Sequence, residues 1–244
     1  MTSVPITWLQ HGQVSLALHR LRQSPVGHSL DDSLDDSADA GGPRTLLMLH
    51  GLGERAPTII PPWCQAWTGP IAALDFTGHG QSTIPRSGGY SAEMLMADAD
   101  HAIAELGPVT VIGRGLGAYI ALLIAGGRPS LVRGAVLCDG PGLAGGAVVP
   151  TSPSFVQIPP RARPPDPYAL FDLSRDLRPP DYATVFARLA IERAAIDVPI
   201  TVCAVLRPPW LAAVANELGV GGLGVGESSI DEALAMYQAR ANGR

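Results

Sequence analysis

Three short glycine-rich stretches hold the residues whose types and spacing could support chemistry: His50-Gly51, Asp75-Phe76-Thr77-Gly78-His79-Gly80-Gln81-Ser82 and Gly113-Arg114-Gly115-Leu116-Gly117. Each follows a short apolar run. Gly113 and Gly117 allow the backbone a close approach to whatever lies opposite. The run after Gly115 reads as a helix, which would turn its positive N-terminal end toward that site. The chemistry on offer is therefore binding of a small anion or a carbonyl oxygen by backbone N–H groups. Side-chain chemistry is poorer. Gly115 has no side chain with which to attack a carbonyl. The six histidines are His11, His19, His28, His50, His79 and His101, so the C-terminal half has none. Asp139 ends an apolar run but has no histidine partner nearby in the sequence, and it reads as a cap on the Gly140-Pro141-Gly142 turn. His50, His79 and Ser82 read first as turn and loop stabilisers. Trp63, Trp67 and Trp210 suit either a pocket wall or the core.

Positioning these turns requires strands that end at them. Residues 14–21 alternate as a strand should. Residues 45–49 (TLLML), 72–74, 109–112, 134–138 and 200–206 (ITVCAVL) are short apolar runs, as expected of parallel strands buried on both faces. Helices are expected at 91–106, 116–125, 181–196 and 209–218. A last helix is expected from Ser229, where Ser229-Ile-Asp-Glu232 is a capping-box sequence. Strand–helix alternation implies a parallel sheet with helices on both faces. Residues 24–42 are rich in Ser, Asp and Gly and read as a solvated, flexible acidic loop. Residues 141–180 are dense in proline, which opposes long regular elements.

The three motifs, in this order and at strand ends, resemble the α/β-hydrolase family: H-G after the third strand, D-x-x-G-x-G-x-S after the fourth, and the G-x-S-x-G nucleophile elbow after the fifth. The resemblance spans almost the whole chain, from the first hairpin to the final helix. It implies an α/β fold with a mostly parallel sheet flanked by helices, in one domain over residues 1–244, with residues 141–180 as a reduced Pro-rich cap or lid. It also implies where a triad would stand, and there the chain departs from the pattern. The nucleophile position is Gly115, the acid position falls at or near Pro208, and the nearest match to the histidine position is at Gly226-Glu227. Glycine would also relax the strained backbone that the family's elbow imposes on its nucleophile. The oxyanion hole, built of backbone N–H groups, maps to Leu116 and to Leu52, with His50 and Gly51 beside it, and a ligand oxygen, anion or water is expected there.

Bulk properties narrow the function further. Apolar residues make up 46% of the chain and charged residues 16%, with a net charge of −5. No basic face is implied, so no nucleic-acid partner is expected. Cys64, Cys138 and Cys203 form no C-x-x-C pair and read as buried free thiols. No metal site, cofactor, signal peptide or membrane span is expected, and the cytoplasm is the expected location. The leading expectation is a pseudoenzyme: a non-catalytic α/β-hydrolase-like protein that binds a small molecule or a protein partner at its vestigial site. The alternatives are an atypical hydrolase or lyase of ester-like substrates using His50, His79 or Asp139, and a structural partner subunit. No ligand, partner identity or oligomeric state follows from the residues.

Overall fold

A computed structural model describes residues 4–23, 44–86, 88–146, 164–219 and 224–241. Eight strands form one sheet in the order β1-β2-β4-β3-β5-β6-β7-β8. They are β1 (Ile6–His11), β2 (Val14–Arg22), β3 (Thr45–Leu49), β4 (Ile71–Leu74), β5 (Val109–Arg114), β6 (Val132–Cys138), β7 (Ile200–Val202) and β8 (Val225–Glu227). The β1–β2 hairpin is antiparallel, β2 runs antiparallel to β4, and the remaining pairs are parallel. The helices are α1 (Ala92–Leu106), α2 (Leu116–Gly127), α3 (Pro167–Arg175), α4 (Pro180–Arg193), α5 (Pro209–Gly219) and α6 (Ile230–Ala241). Among the described residues no helix is long and apolar enough to cross a membrane.

Alternation along the central strands builds two cores. Leu47, Leu49, Val109, Val111 and Leu137 face one side and pack with α1, α2, α4 and α5. Leu46, Met48, Ile112, Val136 and Cys138 face the other, where α6 and a 3-10 turn at Pro62–Cys64 cover them. The first face is the fuller one. Helix α2 lies in its middle and is buried all round from Leu116 to Gly126. The second face has no α-helix between β3 and β4, only the irregular stretch that contains the 3-10 turn.

The expected elements form with small changes at their ends, and the differences have local causes. Helix α1 starts one residue after Ser91, whose side chain accepts from Met94 N–H. The capping box before α6 closes in both directions, Glu232 N–H to Ser229 Oγ at 3.3 Å and Ser229 N–H to Glu232 Oε2 at 3.1 Å. The strand expected over 200–206 stops at Val202. The N–H groups of Val205 and Leu206 turn instead to the carboxylate of Asp139, at 2.7 and 3.0 Å. Asp139 thus ties β6 to the loop after β7 and does not cap the turn that follows it. The proline-rich stretch contains a helix that the proline count argued against. In α3, Asp166 caps the N-terminus by accepting from Tyr168 N–H at 3.1 Å, and Pro167 takes the first helical position, where its missing N–H costs nothing. Pro180 opens α4 in the same way. Strand β8 is too short to announce itself in the sequence. The acidic stretch 24–42 and the middle of the proline-rich stretch lie outside the described residues.

Candidate functional site

The site is built at the C-terminal ends of β3, β5 and β6. Strand β5 ends at Arg114, Gly115 follows with φ 55° and ψ −117°, and α2 begins at Leu116. This is a sharp strand-to-helix turn in a region of backbone space that L side chains avoid. The flanking glycines are required by contact. A Cβ on Gly113 would lie 2.1 Å from the Gly117 oxygen, and one on Gly117 would lie 2.4 Å from the Leu49 oxygen.

The two backbone donors expected to converge do so. Leu116 N–H and Leu52 N–H both point at one acceptor, at 2.9 and 3.0 Å. That acceptor is the chain's own Pro141 carbonyl oxygen. The turn over residues 140–143 lies across the elbow and fills the place of a substrate oxygen with a peptide oxygen. The turn is held from behind. Arg178, buried, donates to the Gly142 and Leu143 oxygens at 2.5 and 2.7 Å, and Trp210 Nε1–H donates to the Leu143 oxygen at 2.9 Å. A Cβ at position 115 would stand 2.0 Å from the Pro141 oxygen and 2.6 Å from the Gly140 carbonyl carbon. Glycine is therefore the only residue that fits beneath the turn in this arrangement.

The other two positions at which the resemblance would set a triad join no acid–base pair among the described residues. Pro208 lies just before α5, six residues past the end of β7. Glu227 ends β8 and pairs with Arg207 at 3.1 Å, exposed to solvent. Of the histidines near the elbow, His50 has both ring nitrogens engaged, whereas His79 has only Nδ1 engaged. His50 Nε2 accepts from Phe76 N–H at 3.1 Å, which makes Nδ1 the protonated nitrogen, and that nitrogen donates to the Gly51 oxygen at 2.8 Å. Burial, with His79 close by, lowers the His50 pKa to about 4. His79 donates from Nδ1 to the Thr77 oxygen at 3.1 Å, and burial lowers its pKa also. Both rings stay neutral at ordinary pH. Asp75 is a structural hub. It accepts from Ala56 N–H at 2.6 Å, from Gln81 N–H at 2.9 Å and from His19 Nε2 at 2.8 Å. Burial pushes its carboxyl up, but these hydrogen bonds outweigh burial and hold it below the usual carboxylate range.

Beside the elbow is a cavity of about 950 Å³. It opens on the face that lacks a helix after β3. Met48, Ile112 and Trp63 form apolar wall, with His50 alongside. Its polar end is an ion pair, Arg114 to Glu54 at 2.9 Å, both half-exposed. Burial raises the Glu54 pKa, but bonds from Arg114 and from Gly51 N–H more than offset this and keep it ionised. Trp67 and Trp210 are core residues. Glu54 and Arg114 were missed from the sequence. The signal that could have found them is the register, since Arg114 ends β5 directly before the elbow.

The chain belongs to the α/β-hydrolase family. The family described as "Alpha/beta hydrolase family" matches residues 46–225, most of the chain. Solved structures agree at the level of the fold. The thioesterase domain from the curacin biosynthetic pathway is 16% identical, with a TM-score of 0.55 and 98% of each chain covered. A putative lipase from Acinetobacter baumannii AYE is 18% identical, with a TM-score of 0.54, covering 98% of this chain and 89% of that one. A membrane phospholipase A described as a bacterial virulence factor is 18% identical, with a TM-score of 0.53, covering 99% and 86%. No curated protein matches the chain in sequence.

Proposed function

We propose that this member of the family is non-catalytic and binds a small, largely apolar molecule with a polar head, in the cavity beside the vestigial elbow. The observation that carries this reading is the Pro141 carbonyl seated between Leu52 N–H and Leu116 N–H above a glycine at the nucleophile position. The names of the three solved neighbours point toward hydrolysis, and two independent obstacles stand against it here. Removing a triad nucleophile or base costs about six orders of magnitude in kcat, and loss of one oxyanion donor costs a further factor of roughly 10² to 10³. In this chain the nucleophile position is glycine, the base position lacks histidine, and both donors are already bonded.

The cavity supports the binding half of the reading. Its volume suits a ligand of drug size, and its composition is the usual one, an apolar wall with a few placed polar groups. Gly51 N–H fixes the Glu54 carboxylate, which fixes Arg114, so the polar end is set before a ligand arrives. Binding sites of this kind need no proton transfer. Neutral His50 serves as wall, not as base.

A thermal-shift screen tests the proposal with a matched series: medium-chain carboxylates, the corresponding alcohols and their methyl esters. A ligand at a hundred times its Kd adds about 2.7 kcal/mol, which for a chain of this size raises Tm by roughly 5–10 °C. The shift is expected in the wild type and lost in Trp63→Ala, which removes part of the apolar wall. Hydrolysis of the methyl esters during the screen, or equal shifts in wild type and Trp63→Ala, would overturn the reading.

A further inference from the structure

The parallel register runs a row of side chains across the C-terminal edge of the sheet. Arg114 of β5 lies opposite Cys138 of β6. Leu137 lies opposite Val202, and Val202 opposite Glu227. The next residues along the three strands, Cys138, Cys203 and Ser228, continue the row. Cys203 N–H donates to the Leu137 oxygen at 2.8 Å, which keeps Cys203 in line with its neighbour beyond the formal end of β7. Both cysteines face the same side, since Cys138 belongs to the core beneath α6 and Cys203 packs against that core. Neighbouring strands stand about 4.8 Å apart, inside the Cα separation of roughly 4.4–6.8 Å that a disulfide spans. The two thiols differ in access. Cys138 is 3% exposed, whereas Cys203 is only partly buried.

We infer that Cys203 and Cys138 form a two-thiol modification site for low-molecular-weight disulfides, with Cys203 the attacking thiol and Cys138 the resolving one. In the first step the Cys203 thiolate attacks one sulfur of the small disulfide. A mixed disulfide forms on Cys203 and one small thiolate leaves. In the second step the Cys138 thiol gives up its proton and attacks the Cys203 sulfur. The Cys138–Cys203 bond forms, the mixed disulfide breaks, and the second small thiolate leaves. The two cysteines lose two electrons and two protons, and the small disulfide is reduced to two thiols.

Access assigns the order of the two thiols, the partly exposed Cys203 before the buried Cys138, and the electrostatics run the same way. The neighbouring Cys138 thiol, with the Arg207 guanidinium near, outweighs burial and holds the Cys203 thiol below its usual range. The same contact, with burial, pushes Cys138 up. Once capped, the Cys203 sulfur lies across the row from the Cys138 thiol, so the second step follows from the first. Cys64 provides an internal control. It is fully buried, donates to the Pro61 oxygen at 3.3 Å, and burial raises its pKa to about 11.

The test uses the folded full chain, treated with hydroxyethyl disulfide at neutral pH, then alkylated in denaturant, digested and weighed. The wild type should yield a joined Cys138–Cys203 peptide two hydrogens lighter than its reduced parts. Cys64 should react about a hundredfold more slowly. Cys138→Ser should trap a lasting hydroxyethyl adduct on Cys203, and Cys203→Ser should leave Cys138 unmodified. Circular dichroism confirms that each variant is folded. Should either variant unfold, the wild-type digest alone decides. A lasting adduct on Cys203 in the wild type would overturn the inference, as would equal labelling of Cys64 and Cys203, or no reaction at Cys203.

Discussion

Gly115 does two things that a serine could do only at a cost in this arrangement. It adopts a positive φ, and it leaves room for the Pro141 oxygen. Gly115→Ser restores the family's nucleophile on paper. It should instead strain the backbone and force the 140–143 turn away, lowering stability by about 2–4 kcal/mol with no gain in esterase activity. Urea melts of the two proteins read the first effect directly. A stable, active Gly115→Ser protein would show that the turn moves freely. His50 leads to a prediction in pH. Its folded pKa, about 4, lies below the ordinary histidine value of 6.5. The unfolded chain therefore binds more protons between those values, and stability rises with pH across that window. The contribution is complete above pH 6.5 and is lost as pH falls toward 4. It amounts to roughly 3 kcal/mol, with His79 acting in the same direction. Chemical denaturation at pH 7.5 and pH 5 should show the loss in the wild type and a shallower slope in His50→Asn. Equal slopes would show that His50 does not set this pH dependence.

At the scale of elements, α2 depends on small residues where it meets α4. A Cβ on Gly126 would lie 2.4 Å from the Phe186 oxygen, a backbone atom that cannot swing aside. Gly126→Ala gains helix propensity of up to about 1 kcal/mol but must separate the two helices. The expected net result is a loss of about 1–3 kcal/mol, read as a lower thermal midpoint, and an unchanged or higher midpoint would contradict that packing. The elements were legible where one local rule dominated. Apolar runs ending in Gly, Asp or His marked β3 to β6, and Ser91 and Ser229 marked the helix starts they cap. Other elements were not legible, because tertiary partners decided them. Val205 and Leu206 continue a strand-like sequence, yet their N–H groups go to Asp139. Pro167 and Pro180 read as breakers although they occupy first helical turns.

The same contrast holds for the molecule as a whole. The three motifs and their order revealed the sheet, the elbow and the family, because glycines at close backbone contacts leave a sequence trace. Even the pairing of Leu52 with Leu116 as converging donors was legible. What fills the space between them was not, because Pro141 reaches it through a backbone carbonyl, and every residue type has one. The cavity was hidden for a related reason. It arises from what is missing between β3 and β4, an α-helix, and its polar end joins residues sixty positions apart. On the function proposed above, this α/β-hydrolase fold carries no hydrolytic centre. The most direct measurement is the rate of p-nitrophenyl acetate and butyrate turnover by the purified wild-type chain, against an equal mass of albumin. The rate should be no higher than albumin's and should not saturate with substrate. Saturable turnover, with a residue near the elbow covalently labelled by a fluorophosphonate probe, would contradict it.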